Sequence, residues 1–216
     1  MPERKEKIKQ QKVLFVDFNG VISYDPFWKS MTDLKHPLHA YYEQIEELLF
    51  RGENKIEGLI DDWMLGKHTS EDVHHIIADR LKAPYQEIFN VFCEDCKHLD
   101  ISKPILQGIQ ALRKDYYCIL RTDNMDTLHR FTLPANPHLA KAFDEVHSSY
   151  LLHQMKKTDG GKYFITTVSD LGVEMKNCVF IDDGKSNIAL FESIGGKGYR
   201  TQNEAKVVAV LEKLTS

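Results

Sequence analysis

The chain has 216 residues, a formal net charge of -4 at pH 7, and 42% hydrophobic and 28% charged residues. These fractions are ordinary for a globular chain, and the length fits one large domain or a core carrying a sizeable insertion. The mildly negative balance gives no electrostatic case for nucleic acid or a membrane surface as partner, and no apolar run approaches the roughly 18 residues a membrane span requires.

Met1 to Lys12 is charged and lacks the apolar centre of a signal peptide, so it reads as a flexible leader of a cytoplasmic protein. Val13-Leu14-Phe15-Val16 then runs into Asp17 and Phe18-Asn19-Gly20-Val21. This pattern predicts a buried strand entering a tight turn, with the Asp17 carboxylate exposed at the strand's carboxyl edge. An acid there can be a nucleophile or a metal ligand.

From residue 25 to residue 103 the pattern is helical. Apolar residues recur at helical spacing over 40–49, 56–65, 73–81 and 85–96, and Thr69, three positions before Asp72, reads as the N-cap of the third run. This is an inserted α-helical domain. Pro104 marks the return to a core made of residues 13–24 and 104–216.

Three more short apolar segments, 117–122, 145–148 and 178–182, read as buried parallel strands, with a last strand near 198–200. Helical patterns over 105–114, 163–171, 187–194 and 204–214 alternate with them. Strand–helix alternation implies an α/β fold, a parallel sheet with helices on both faces. Cys118 and Cys178 fall inside strands and read as small hydrophobes. Cys93 and Cys96 have no second pair to complete a zinc site and read as ordinary helix residues. The ten histidines, His74 and His75 among them, read as surface or cap residues.

Ligands of an open parallel sheet collect beyond the carboxyl ends of its strands. Those ends carry Asp17 and Asn19, Thr122-Asp123-Asn124, and Asp182-Asp183, with Lys156 and Lys157 in the loop beyond the third strand. Three acids in one crevice repel unless a cation compensates them, and hard oxygen ligands suit Mg2+.

In order, Asp17-Phe18-Asn19-Gly20-Val21, Leu120-Arg121-Thr122-Asp123-Asn124, Lys157 and Phe180-Ile181-Asp182-Asp183 resemble the four motifs of the haloacid dehalogenase-like (HAD-like) hydrolase superfamily. Gly66-Lys67-His68-Thr69 is similar to a turn in that family's helical caps. The resemblance implies a Rossmann-like core with a helical cap over 25–103, and a Mg2+-dependent phosphatase acting on a small phosphorylated metabolite. It implies Asp17 as nucleophile, Thr122 and Asp123 as substrate-binding residues, and Lys157, chosen over Lys156 for its spacing to Phe164, as the charge-neutralising lysine. It implies Asp17, the Asn19 carbonyl, Asp182 and Asp183 as the metal's ligands, with Asn187 in support. The family's usual first motif has a second aspartate as general acid and base where this chain has Asn19. That departure leaves three readings: a phosphatase for good leaving groups or with another proton carrier such as Asp25; a 2-haloacid dehalogenase-type hydrolase; or a weakly active or non-catalytic protein binding a phosphorylated ligand or a protein. Oligomeric state stays open.

Overall fold

The computed structural model describes residues 11–53 and 55–215. The leader expected over residues 1–12 lies outside them except for its last two positions, and Lys12 already opens the first strand.

Five strands, β1 (Lys12–Val16), β2 (Tyr116–Thr122), β3 (Glu145–Ser148), β4 (Cys178–Asp182) and β5 (Lys197–Arg200), form one parallel sheet in the order β3-β2-β1-β4-β5. The central strand is apolar on both sides, as a sheet covered on both faces demands. Leu14 and Val16 point to one face with Cys118, Leu120, Val179 and Ile181. Val13 and Phe15 point to the other with Ile119, Cys178 and Phe180.

Four helices of the inserted segment come next in the chain: α1 (His39–Glu46), α2 (Leu59–Met64), α3 (Ser70–Leu81) and α4 (Tyr85–Lys97). They bury their own core of Ile45, Leu49, Trp63, Val73, Ile77, Ile88 and Phe92, joined by Trp28 and Met31 ahead of α1. The expected N-cap is present: Thr69 and Asp72 bond reciprocally in a capping box at the start of α3. The run expected over 40–49 leaves α-geometry at Glu46 and continues as a π-helical turn, Glu47–Arg51. The run expected over 56–65 is helical only from Leu59, because Gly58 sits at φ 75°.

The core resumes with α5 (Lys103–Leu112), capped by Ser102 and with Pro104 in its first turn. Beyond β2 a π-helical turn, Leu128–Thr132, leads into α6 (Leu133–Ala135) and α7 (Pro137–Lys141). Sequence reading assigned nothing to this stretch. Pro134 and Pro137 interrupt it, each lacking an N–H and so tolerated only in the first turn of a new helix. After β3 come α8 (Ser149–Leu152), α9 (Lys162–Leu171), α10 (Lys185–Ser193) and α11 (Glu204–Thr215). Ile105, Ile109 and Leu112 of α5, with Val207 and Leu211 of α11, cover the Leu14 face. Phe164 and Val168 of α9, with Phe191 of α10, cover the other, and Phe15 meets Phe164 edge-on at 5.1 Å.

Two crossings join the core to the inserted helices, and they run side by side. The Asp100 N–H donates to Asp25 Oδ2 at 2.6 Å, and the Ser102 N–H to the Ile22 carbonyl at 3.0 Å. Among the described residues no helix is long and apolar enough to cross a membrane.

Candidate active site

The β1–β4 ladder extends one residue past β1, where the Asp17 N–H reaches the Ile181 carbonyl at 3.0 Å. The chain then winds into a single turn, with the amides of Val21, Ile22 and Ser23 all directed at the Phe18 carbonyl. Phe18, Val21 and Ile22 sink into the apolar core. That burial fixes the turn and leaves Asp17 facing the crevice, its Oδ1 accepting from the Phe18 N–H at 2.8 Å. Gly20 closes the turn at φ 75°, and a Cβ there would lie 2.6 Å from Asp183 Oδ2. Only glycine lets the first and fourth strand ends approach this closely.

Lys156 lies between two carboxylates. Its Nζ is 2.6 Å from Asp17 Oδ2 and 2.8 Å from Asp182 Oδ2, and its side chain is only 2% exposed. This corrects the sequence expectation for Lys157, whose exposed side chain turns away and reaches Ser186 Oγ at 3.3 Å. Spacing along a loop carries no period that says which of two neighbours faces inward.

Asp182 is fully buried and spends both oxygens on the protein. Oδ1 accepts from the Gly184 N–H at 2.7 Å and Asn187 Nδ2 at 3.0 Å, while Oδ2 holds Lys156 and also takes Asn187 at 3.2 Å. Asn187 thus braces the site, as expected, through Asp182. Asp183, at the exposed rim, has no side-chain donor among the described residues.

Burial dominates the electrostatics. It pushes the Asp17 carboxyl up to about 7, against the pull of Lys156 and with a further push from Asp182. Burial and then Asp182 raise Asp183 as well. Burial alone would lower Lys156, but Asp17, Asp182 and Asp123 together hold it above its ordinary value, so it stays an ammonium. One lysine faces three acids, leaving the pocket short of positive charge.

That shortfall and the donor chemistry fit a hard divalent cation. Asp17, Asp182 and Asp183 each offer an oxygen within 4.8 Å of the others. No protein donor engages the Asn19 carbonyl among the described residues. With Asp182 committed to Lys156, Asp183, Asp17 and the Asn19 carbonyl are the groups best placed to hold the ion.

Thr122 ends β2 beside Asp17, is fully buried, and its hydroxyl has no hydrogen-bond partner among the described residues. An unmet buried hydroxyl costs about 1–3 kcal/mol until something hydrogen-bonds to it. Asp123 differs from its expected substrate-binding role. Its carboxylate accepts from the Lys156 N–H at 2.9 and 3.2 Å and pairs with Arg121 Nη1 at 3.1 Å. It faces the lysine loop.

Asp25, considered as a proton carrier, is committed to the crossing, with Oδ2 accepting from Lys29 Nζ as well as from the Asp100 N–H. The histidine expectation also needs correction. His74 is buried inside the inserted helices, but His147 and His129 are half-buried in the core, bonded to Tyr163 and Ser148.

Sequence reading missed Asp126, four residues past Thr122. Its buried carboxylate accepts from Trp63 Nε1 at 2.8 Å, the Ser70 N–H at 3.0 Å, Ser70 Oγ at 2.7 Å and Arg130 Nη1 at 2.6 Å. Arg130 in turn grips Glu71 with both Nη atoms. One core carboxylate therefore fastens α2 and α3 to the core. An aspartate four residues beyond a polar strand end was its only sequence signal, and that is common in turns.

No family model matches the sequence, and no curated protein matches it. Solved structures match the fold. A predicted HAD-like family hydrolase from Porphyromonas gingivalis superposes with a TM-score of 0.70, over 95% of this chain and 98% of its own, at 22% identity. A HAD family enzyme from Bacteroides thetaiotaomicron, in complex with magnesium and inorganic phosphate, gives 0.66 over 89% and 96%, at 18% identity. A dehalogenase with an intermediate complex gives 0.62 over 89% and 85%, at 11% identity. Identities this low establish likeness of fold.

Proposed function

We propose, from the premise that this chain has the HAD-like hydrolase fold, that it is a magnesium-dependent phosphatase of a small phosphorylated metabolite, acting through an aspartyl-phosphate on Asp17. One observation carries the reading. A buried ammonium is shared between Asp17 and Asp182, with Asp183 left open to a cation. Such a set of charges suits a strongly anionic group, and Thr122 offers that group a hydroxyl left unpaired among the described residues.

In the first step an Asp17 oxygen attacks phosphorus; the new O–P bond forms as the bond to the leaving oxygen breaks. Lys156 opposes the charge on Asp17 and on the phosphoryl oxygens, and Thr122 donates to one of them. Magnesium, when bound, would neutralise phosphoryl charge. In the second step water cleaves the aspartyl-phosphate and restores Asp17.

The Asn19 amide can neither protonate the leaving oxygen nor take a proton from water. Loss of such help costs roughly 10²–10⁴-fold. The reading therefore favours leaving groups stable as anions, and a phosphoenzyme that accumulates. A second reading, carbon–halogen hydrolysis, draws on the same amide, because a departing halide needs no proton. The acid set of Asp17, Asp182 and Asp183 favours the metal-dependent phosphatase.

A panel of metabolite phosphates with Mg2+, run on wild type and Asp17→Asn, tests the proposal. Phosphate release by wild type and none by the variant is expected; full activity in Asp17→Asn would overturn it. Halide release from a 2-haloacid without divalent cation would transfer the assignment to the second reading.

A further inference from the structure

Arg121 and Asp123 flank Thr122, and both are turned toward the loop that carries Lys156. Arg121 is fully buried. Its Nη1 donates to the Thr122 carbonyl at 2.8 Å and to Asp123 Oδ1 at 3.1 Å, and its Nη2 donates to the Gln154 carbonyl at 2.9 Å. Asp123 accepts from the Lys156 N–H. Two neighbouring side chains of one strand end thus grip the lysine loop on either side of Met155.

The loop has little else to hold it. Gln154 N–H reaches the Ser149 carbonyl at 3.3 Å, the Thr158 N–H reaches the Met155 carbonyl at 3.1 Å, and the Met155 N–H reaches Thr158 Oγ1 at 3.2 Å. Lysine, meanwhile, loses much rotamer freedom when its long stem is fixed. An ammonium seated within 2.8 Å of two carboxylates leaves its main chain small latitude.

We infer that Arg121 and Asp123 are positioning residues that hold the Gln154–Lys156 main chain so that the Lys156 ammonium reaches Asp17. This inference rests on the proposed role of Lys156, but its geometry stands apart from any substrate. The anchor is itself braced: the Arg121 guanidinium lies 4.5 Å above the Tyr163 ring, and the Tyr163 hydroxyl bonds His147 Nδ1, whose ring pairs with Glu145 through Nε2 at 2.7 Å. A buried arginine is costly unless paired and bonded. Here its pairing and its hydrogen bonds all fall on the strand end or the lysine loop.

The test compares Asp123→Ala, Asp123→Asn and wild type by kcat, KM and amide hydrogen exchange. A displacement of about 1 Å in a positioned group can cost on the order of 10²-fold in rate. Asp123→Ala is expected to lower kcat at least about tenfold with KM within about twofold. The peptide containing the Lys156 amide should lose protection while those from β1 and β4 keep theirs. Asp123→Asn, which retains one acceptor oxygen, should recover most of kcat. Wild-type kcat and exchange in Asp123→Ala would overturn the inference, as would loss of protection across the whole sheet. If Asp123→Ala does not fold, Arg121→Lys replaces it: one ammonium cannot span Gln154 and Asp123 together, so the same local loss is expected. If wild type hydrolyses no phosphate, the phosphatase reading fails, while the exchange comparison still decides whether this pair holds the loop.

Discussion

Lys156 and Lys157 are adjacent, yet one is sealed between Asp17 and Asp182 and the other lies in solvent beside Ser186. Lys156→Met should reduce phosphatase kcat at least about 10²-fold, whereas Lys157→Met should leave it within about twofold; steady-state kinetics on a common substrate separates them. Asn19 poses the opposite question, because it withholds chemistry. Asn19→Asp should raise turnover of an alkyl phosphate roughly tenfold or more if the missing proton donor limits the rate. No gain would place the donor elsewhere. Asn19-Gly20 is a dipeptide type that deamidates, but the Gly20 N–H is tied to the Ser23 carbonyl at 2.8 Å, which hinders its attack on the amide. Peptide mass spectrometry of aged protein should therefore find residue 19 still an asparagine. At this scale sequence reading put Asp17, Thr122 and the acid pair at or just past the ends of β1, β2 and β4, where they lie, because each closes a largely apolar run. It misplaced the lysine and gave Asp123 to substrate, since side-chain direction in a loop leaves no periodic trace.

The helices of the inserted segment were legible from apolar periodicity and from the Thr69–Asp72 cap, but what fastens them to the core was not. Asp126 does so with four bonds, all spent inside the protein. Asp126→Ala should cost about 3–5 kcal/mol, as removing one member of a buried charged network does, and denaturant unfolding measures it. Asp126→Asn, which can still accept from Trp63, should cost less. His74 supplies a pH signature for the same element. Its Nδ1 is bonded to the Ser70 carbonyl, and its ring packs 4.4 Å from that of Phe92. Burial lowers its pKa from 6.5 to about 4. Between those values the unfolded chain binds a proton that the folded chain refuses, so stability should fall as pH drops from about 6.5 to about 4. His74→Phe should flatten that slope in thermal unfolding followed across the window. Residues 128–141 escaped sequence reading because two prolines and a π-turn break them into pieces shorter than a readable helical period.

Across the whole molecule, the α/β order was plain from the alternation of apolar runs, and both faces of β1 are covered as expected. A metal-free site should weigh against stability as pH rises. With its pKa raised to about 7, Asp17 keeps, between about 4 and 7, a proton that the unfolded chain releases. Stability due to this group therefore declines across that window and levels off above it. A divalent cation binds the ionised form, so the rise in Tm produced by Mg2+ should be larger at pH 8 than at pH 5.5, and Asp183→Asn should remove most of it. Equal shifts at both pH values would argue against this site as the place of binding. The paired crossings have a consequence for ancestry. Asp25 and Asp100, 75 positions apart, meet in one hydrogen bond, so the whole excursion leaves and rejoins the core at a single doorway. A sheet whose insertion begins and ends at one point can gain, lose or exchange that insertion without rethreading a strand. A short linker joining Ser23 to Ser102 should yield a miniature protein that keeps the five-stranded order, with Asp126 left facing water.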